Sequence, residues 1–236
     1  MSRTINIALL GYGKMGRLIE TMASEHNINV ITHFDENNLL EDSPDIRKEI
    51  EDVSVFVDFT MPSAVLSNVK TVAALGKNLV IGTTGWQDHL SEVKKIVDDL
   101  NIGLVYGSNF SLGINLFYKV SDYAAQLFSA FENYDPYIEE SHHKMKKDAP
   151  SGTALVLKKL IQKHYPEKDL PVSSTRAGYI PGMHSVNFDS VVDSVHLKHI
   201  ARSRQGLAEG ALLAVKWIHR KKGMYAFKDV LEEIIS

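Results

Sequence analysis

The chain of 236 residues contains no cysteine. Disulfides and thiolate metal sites are therefore excluded, no metal site is expected, and a reducing cytoplasm is compatible. Neither sign of charge dominates. Lys and Arg number 26 against 29 Asp and Glu, a formal net charge of -3 with histidine neutral. That balance recommends no general nucleic-acid surface, although local positive fields remain available. No segment reaches the roughly eighteen uninterrupted apolar residues of a membrane span. The N-terminus carries Arg3 and then a strand-like run, without the apolar stretch and cleavage site of a signal peptide. What is present is an ordinary globular composition, 44% hydrophobic and 23% charged, enough for one large domain or two modest ones.

The densest chemistry lies at His142-His143-Lys144-Met145-Lys146-Lys147-Asp148-Ala149-Pro150-Ser151-Gly152-Thr153. Tyr134 to Glu140 reads as a strand before it and Ala154 to His164 as a helix after it, which places the cationic cluster on the intervening loop. Ser151 stands in helix-cap position. A helix start attracts anions through unpaired N–H groups and the dipole. Lysines and histidines beside it suit a substrate carrying carboxylates or phosphates, and histidine adds proton transfer near neutral pH. Like-charge repulsion should lower pKa values within the cluster. The plainer alternative is a solvated basic loop.

Ile5 to Leu10 is an apolar run ending on Gly11-Tyr12-Gly13-Lys14-Met15-Gly16, and a helical pattern follows from Lys14 to His26. Strand, glycine turn and helix make a dinucleotide-binding start. Gly11 permits the tight turn, Gly13 lets the backbone approach a pyrophosphate, and Gly16 allows close packing of helix on sheet. The alternative is a structural turn. Asn29 to Phe34 reads as the second strand, ending at Asp35, where an acidic side chain would accept from the ribose hydroxyls. Glu36, Asn37 and Asn38 follow. A 2′-phosphate would meet negative charge there and no arginine, so NADH is expected over NADPH, with Lys14 or Arg17 still able to reach a phosphate. Otherwise Asp35 and Glu36 simply open a polar loop.

Leu39 to Glu51 is polar and irregular, with room for a short helical turn. Val53 to Phe59 is an apolar strand opening on Thr60-Met61-Pro62-Ser63, and Pro62 starts a helix to about Leu75. Leu79 to Ile81 is a strand ending at Gly82-Thr83-Thr84-Gly85-Trp86. A helix from about Ser91 to Leu100 leads to the strand Ile102 to Tyr106, which ends at Gly107-Ser108-Asn109-Phe110. Strands alternating with helices predict a parallel sheet covered on both sides, with ligands at the carboxyl ends of its strands. Thr83 and Thr84 could face the nicotinamide or its ribose, or cap their strand end.

Gly113 to Ala130 is an amphipathic helix with Leu116, Val120, Tyr123, Ala124, Leu127 and Phe128 as its apolar side. Val172 to Thr175 and Val186 to Ile200 have strand character, the latter with alternation that points to an antiparallel or mixed sheet. Arg176 to His184 is a loop rich in turn formers. Gly206 to Ile218 and Tyr225 to Ile235 read as helices returning to cover the first sheet.

Several stretches are similar to 4-hydroxy-tetrahydrodipicolinate reductases (dihydrodipicolinate reductases), along the whole chain. Glu140 to Ala154 resembles the signature E-x-H-H-x-x-K-x-D-A-P-S-G-T-A, and Val57-Asp58-Phe59-Thr60, Gly82 to Trp86, Asn109 to Gly113, His199-Ile200-Ala201 and Ala208 to Ala211 also match. The resemblance implies an α/β fold: a Rossmann-like parallel-sheet domain completed by the C-terminal helices, with an inserted α+β substrate domain containing a mixed or antiparallel sheet. The expected boundaries are 1–110 with 207–236 for dinucleotide binding, and 111–206 for substrate binding and oligomerisation. It implies His142 and Lys146 as proton-handling catalytic residues, and His143, Gly152 and Thr153 as ligands of the substrate carboxylates. Gly11, Tyr12, Gly13, Lys14, Met15, Gly16, Asp35, Phe59, Thr60, Gly82, Thr83, Thr84, Ser108, Asn109 and Phe110 would line the cofactor. A cytoplasmic homotetramer acting on a small dicarboxylate is implied, with no nucleic-acid or membrane partner. The segment between Thr153 and Arg176 is shorter than in better-known members. A reductase of a related dianionic imine or enoate, and a non-catalytic NADH sensor, are the competing readings.

Overall fold

The computed structural model describes residues 4–236, so Arg3 lies outside the described residues. In chain order the elements are β1 (Ile5–Leu10), α1 (Lys14–Ala23), β2 (Ile28–Phe34), α2 (Pro44–Glu49), β3 (Val55–Asp58), α3 (Pro62–Ala74), β4 (Asn78–Ile81), α4 (Leu90–Asp99) and β5 (Gly103–Tyr106). Then come α5 (Leu112–Phe128), β6 (Asp135–His142), α6 (Gly152–Gln162), β7 (Val172–Arg176), β8 (Met183–Asp189), β9 (Ser194–Ile200), α7 (Gln205–Ile218), β10 (Gly223–Ala226) and α8 (Phe227–Ile235). Two units divide the chain: residues up to Ser111 together with Gln205–Ser236, and Leu112–Arg204.

The first unit is a six-stranded sheet in the order β10-β5-β4-β3-β1-β2, parallel throughout. Strands β3 and β4 are buried at every position, as strands covered on both faces by helices must be. One face packs Ala8, Leu10, Phe56, Leu79 and Ile81 with Val65, Val69 and Val72 of α3 and Val93 and Val97 of α4. Helix α7 crosses β3, β4 and β5 and packs on α1, turning Ala208, Gly210, Ala211, Leu212, Ala214 and Val215 inward. Small residues let it lie close to its neighbours. The returning C-terminal helices thus complete this unit.

The second unit is a mixed sheet in the order β7-β6-β8-β9. Strands β6 and β7 run parallel, while β6–β8 and β8–β9 are antiparallel. Alternation along β6 buries Pro136, Ile138, Glu140 and His142. Ile138, Val186 and Phe188 join Ala154, Leu157 and Ile161 of α6 and Phe117 and Ala125 of α5 in one core.

Four expectations are corrected. The stretch Val186 to Ile200 is two strands, because Ser190 accepts from the Val192 and Asp193 amides and closes a turn there. Strand β10 stands where the sequence predicts a loop and a helix start. Its four half-buried residues have no alternation to show, and its strand form depends on pairing with β5. Helix α5 buries Ile114, Phe117, Ser121 and Ala125, whereas Val120, Tyr123 and Leu127 are more than half exposed. Apolar residues surround that helix, so periodicity alone selects no face. Finally, β6 continues to His142, placing that imidazole on the sheet rather than on the loop after it.

Candidate active site

The glycine turn follows directly from β1. Gly11 has φ +86°, and a Cβ there would stand 2.7 Å from the Phe59 carbonyl oxygen, so only glycine fits. At Gly16 a Cβ would meet the Gly11 carbonyl oxygen at 2.4 Å, which makes the close crossing of α1 on the turn a glycine requirement. Gly13 is the extended N-cap of α1. Open space surrounds its missing side chain, and no side chain caps the helix start. Gly11, Gly13 and Gly16 stand in the G-x-G-x-x-G spacing, and the uncapped amides beside open space fit a pyrophosphate.

A cleft of about 450 Å³ at the carboxyl ends of the strands brings together Gly13, Lys14, Met15, Phe59, Thr60, Gly82, Thr83 and Thr84. Beside it, the Tyr12 ring stacks on His33 with centroids 3.8 Å apart, and its hydroxyl donates to Glu20. The Arg17 guanidinium lies 5.0 Å from the same ring. Asp35 Oδ1 accepts from the amides of Asn37 (2.8 Å) and Asn38 (3.2 Å), so the residue braces its own turn. Asp35 Oδ2 has no hydrogen-bond partner among the described residues. Ser108 is exposed and the Asn109 side chain accepts from the Ser111 amide. The Phe110 ring is buried against Phe227, with centroids 4.6 Å apart, and its carbonyl lies against Gly210.

One residue at these strand ends carried no assignment from sequence. Asp58 is fully buried, and its Oδ1 accepts from the Thr60 amide (2.9 Å), the Thr60 hydroxyl (2.7 Å) and the Thr83 hydroxyl (2.9 Å). Asn68 Nδ2 donates to its other oxygen at 2.8 Å. The hydroxyl protons of Thr60 and Thr83 are thereby committed to the protein, and Thr83 is a strand-end brace that reaches across to β3.

In the second unit the period of two on β6 puts Glu140 and His142 on one buried face. His142 Nδ1 bonds to Glu140 Oε2. Arg176, at the end of β7 in register with His142, donates to both oxygens of Glu140 at 2.7 and 3.0 Å. The Ser151 amide donates to Glu140 Oε1 at 3.3 Å. Ser151 caps α6 as its sequence position predicts, accepting from the Ala154 amide at 3.2 Å, and contacts His184 Nε2 at 3.0 Å. The N–H groups of Gly152 and Thr153 have no acceptor among the described residues, and space is open beside Gly152. Lys146 Nζ donates to Asp148 Oδ1 at 2.8 Å. His143 Nδ1 is buried with no partner among the described residues.

The cluster is thus less one-sided than its sequence suggests. Burial acts to raise the pKa of Glu140, but Arg176, Ser174 and His142 outweigh it and hold the carboxyl at about 2. Burial lowers the pKa of His142, with Glu140 opposing the shift. His184 falls to about 4, chiefly by burial and then by the neighbouring His142. Burial, more than lysine repulsion, governs His142 and His184. Glu140, His142 and His184 bring their ligand atoms within 4.8 Å of one another, a spacing that a metal ion could use. The bidentate guanidinium already neutralises that carboxylate, so the geometry favours an ion-pair network over a cation site. Glu140, Arg176 and His184 were missed as site residues. Alternation on β6 could have found Glu140, whereas the other two need the strand pairing.

A Rossmann-like sheet with a bare glycine turn defines an NAD(P)-binding protein, and the acid–base cluster on a second unit marks the oxidoreductase class. Residues 5–110 match the family model described as dihydrodipicolinate reductase, N-terminus, and residues 113–231 match that described as its C-terminus. A 4-hydroxy-tetrahydrodipicolinate reductase of Christiangramia forsetii is 34% identical, over 98% of this chain and the whole of that one. Its counterpart in Archaeoglobus fulgidus is also 34% identical, over 93% of this chain and 96% of that one. In fold, the chain is similar to a dipicolinate-bound dihydrodipicolinate reductase from Paenisporosarcina sp. TG-14, with TM-score 0.79 and 23% identity over 96% and 99% of the two chains. The chain belongs to the dihydrodipicolinate reductase family and is an NAD(P)H-dependent oxidoreductase.

Proposed function

We propose that the chain reduces 4-hydroxy-tetrahydrodipicolinate, after loss of water, to tetrahydrodipicolinate in diaminopimelate and lysine biosynthesis, with NADH as the preferred donor. The observation that carries this reading is the pairing of buried His142 and the Asp148-held Lys146 with an α6 start whose Gly152 and Thr153 amides have no acceptor among the described residues. Those amides and the helix dipole suit one carboxylate of a small dicarboxylate. The buried, unpartnered His143 Nδ1 suits another polar contact with it.

A bound NAD(P)H supplies the hydride. Gly11, Tyr12, Gly13, Lys14, Met15 and Gly16 form its pyrophosphate cradle, with Phe59, Thr60, Gly82, Thr83, Thr84, Ser108, Asn109 and Phe110 along the remaining strand ends. Negative charge develops on the substrate as it is reduced, and the Lys146 ammonium offsets that charge more in the transition state than in the ground state. Lys146 then donates a proton to the substrate. His142, buried and short of a full positive charge near neutrality, exchanges a proton during loss of the hydroxyl.

The preference for NADH is supported by Asp35 Oδ2, available for a ribose hydroxyl, and by Glu36 beside it. Arg17 lies over Tyr12 and also donates to its carbonyl at 3.3 Å. No helix among the described residues is long and apolar enough to cross a membrane, in keeping with a cytoplasmic enzyme. Glu139, His196 and Lys198 stand exposed on one face of the mixed sheet and suit the tetramer contact of the family.

The test is loss of NADH absorbance with substrate generated in the cuvette by condensing pyruvate with aspartate semialdehyde, and NADPH in parallel. Rapid turnover dependent on that condensation supports the reading. Turnover only with another dianionic imine or enoate would move the substrate assignment. NADH binding without turnover on any of them would leave a sensor.

A further inference from the structure

Arg176 stands at the head of a turn-rich segment to which the proposed reaction gives no part. Its guanidinium donates four hydrogen bonds to few neighbours: one to each oxygen of Glu140, one to the Asp148 carbonyl at 2.6 Å, and one to the Thr175 carbonyl at 2.8 Å. Two of these neighbours lead onward. Glu140 holds His142 Nδ1, and the Asp148 carboxylate holds Lys146 Nζ.

We infer that Arg176 is a positioning residue that sets His142 and Lys146 together, through Glu140 and Asp148, and so selects Nε2 as the atom of His142 that exchanges the proton. The inference rests on the proton-handling roles proposed for those two residues. An ionised carboxylate only accepts, so the proton between Glu140 and His142 belongs to Nδ1 and the lone pair to Nε2. Arg176 keeps Glu140 ionised and fixed in plane by its two parallel bonds. Nε2 faces Gly182, where a Cβ would stand 3.2 Å away. Glycine leaves that approach open. A lysine at 176 could not give the fork to Glu140 and the bond to Asp148 at once.

The charged and titratable groups facing His142 are Glu140 on its own strand, Arg176 on β7, Lys146 on the following loop and His184 on β8, whose ring centroid is 5.1 Å away. Removing the Glu140 charge takes away the group that favours protonated His142. The ionisation assigned to His142 should then move to lower pH.

The experiment compares Glu140→Gln, Arg176→Met and the double variant by denaturation, NADH titration, kcat and KM against pH, and nitrogen NMR of the His142 ring. Arg176→Met leaves a buried carboxylate with too little positive charge beside it, so the single variant loses stability, whereas the double variant removes both charges and recovers it. Positioning predicts that the recovered double variant still has kcat reduced about tenfold or more, with NADH affinity unchanged. It also predicts an Nδ1–H tautomer in the parent protein and a downward shift of the kinetic ionisation in Glu140→Gln. Recovery of kcat together with stability, or a parent-like tautomer and pH profile in Glu140→Gln, overturns the inference. Full turnover in His142→Gln would instead overturn the role of His142 on which it rests.

Discussion

The Thr83 hydroxyl donates to Asp58 Oδ1 at 2.9 Å, joining the ends of β4 and β3 through two buried side chains. Because the same oxygen holds the Thr60 amide and hydroxyl, one carboxylate shapes two of the loops that line the nucleotide cleft.

Replacing Asp58 by Asn keeps the shape but turns one acceptor into a donor, opposite either the threonine hydroxyls or the Asn68 amide. The expected cost is about 1–3 kcal/mol of stability, read by urea denaturation, together with weaker NADH binding. A variant with unchanged stability and affinity would remove Asp58 as the organiser of these loops.

The glycines of the turn should separate by measurement. Gly16→Ala drives a methyl onto the Gly11 carbonyl and should lower both melting temperature and NADH affinity. Gly13→Ala enters open space at an ordinary negative φ of -83°, so the fold should keep its melting temperature while a methyl intrudes where the pyrophosphate approaches. Equal thermal losses in the two would contradict this division.

Lys146→Ala should cut kcat by on the order of a hundredfold and leave NADH affinity nearly as it was. Asp35→Ala should do the reverse, weakening NADH and narrowing its advantage over NADPH. Titration of each variant with both nucleotides, beside steady-state kinetics, decides the point. Loss of NADH binding in Lys146→Ala would defeat the assignment of that lysine to the substrate.

Acid stability should fall in two stages. His184 has an ordinary value of 6.5 and about 4 in the fold, so the unfolded chain binds its proton first. Its contribution is complete above 6.5 and declines as pH falls toward about 4, and His142 and His199, also lowered by burial, act in the same direction. Glu140 has an ordinary value of 4.5 and about 2 in the fold, so its contribution is complete above 4.5 and is lost as pH falls through about 2. Stability measured across this range should show a shallower upper stage in His184→Gln. An unaltered upper stage would mean that His184 is not the group responsible.

Much of this was legible in the residues. The run from Ile5 through Gly16 specifies its strand, turn and helix locally, because Gly11 and Gly16 answer steric demands made by the adjoining strand end or within a few residues. Ser151 announces the start of α6 for the same reason. The Leu116, Val120, Tyr123 and Leu127 side of α5 misled, since apolar residues on every side of a helix carry no information about which side is covered. Strand β10 was invisible, since four half-buried residues acquire strand form only from β5. Asp35 and Thr83 each had two readings, and only the fold showed the bracing bonds that both make.

The sequence alone determined the alternation of strands and helices, the glycine turn, the cationic segment and the family, since these rest on local spacing and residue type. Tertiary structure alone decided that Arg176, 34 residues after His142, would lie in register beside it and share its Glu140. Strand pairing joins residues distant in the chain, and no local pattern encodes which strand comes to lie next to which.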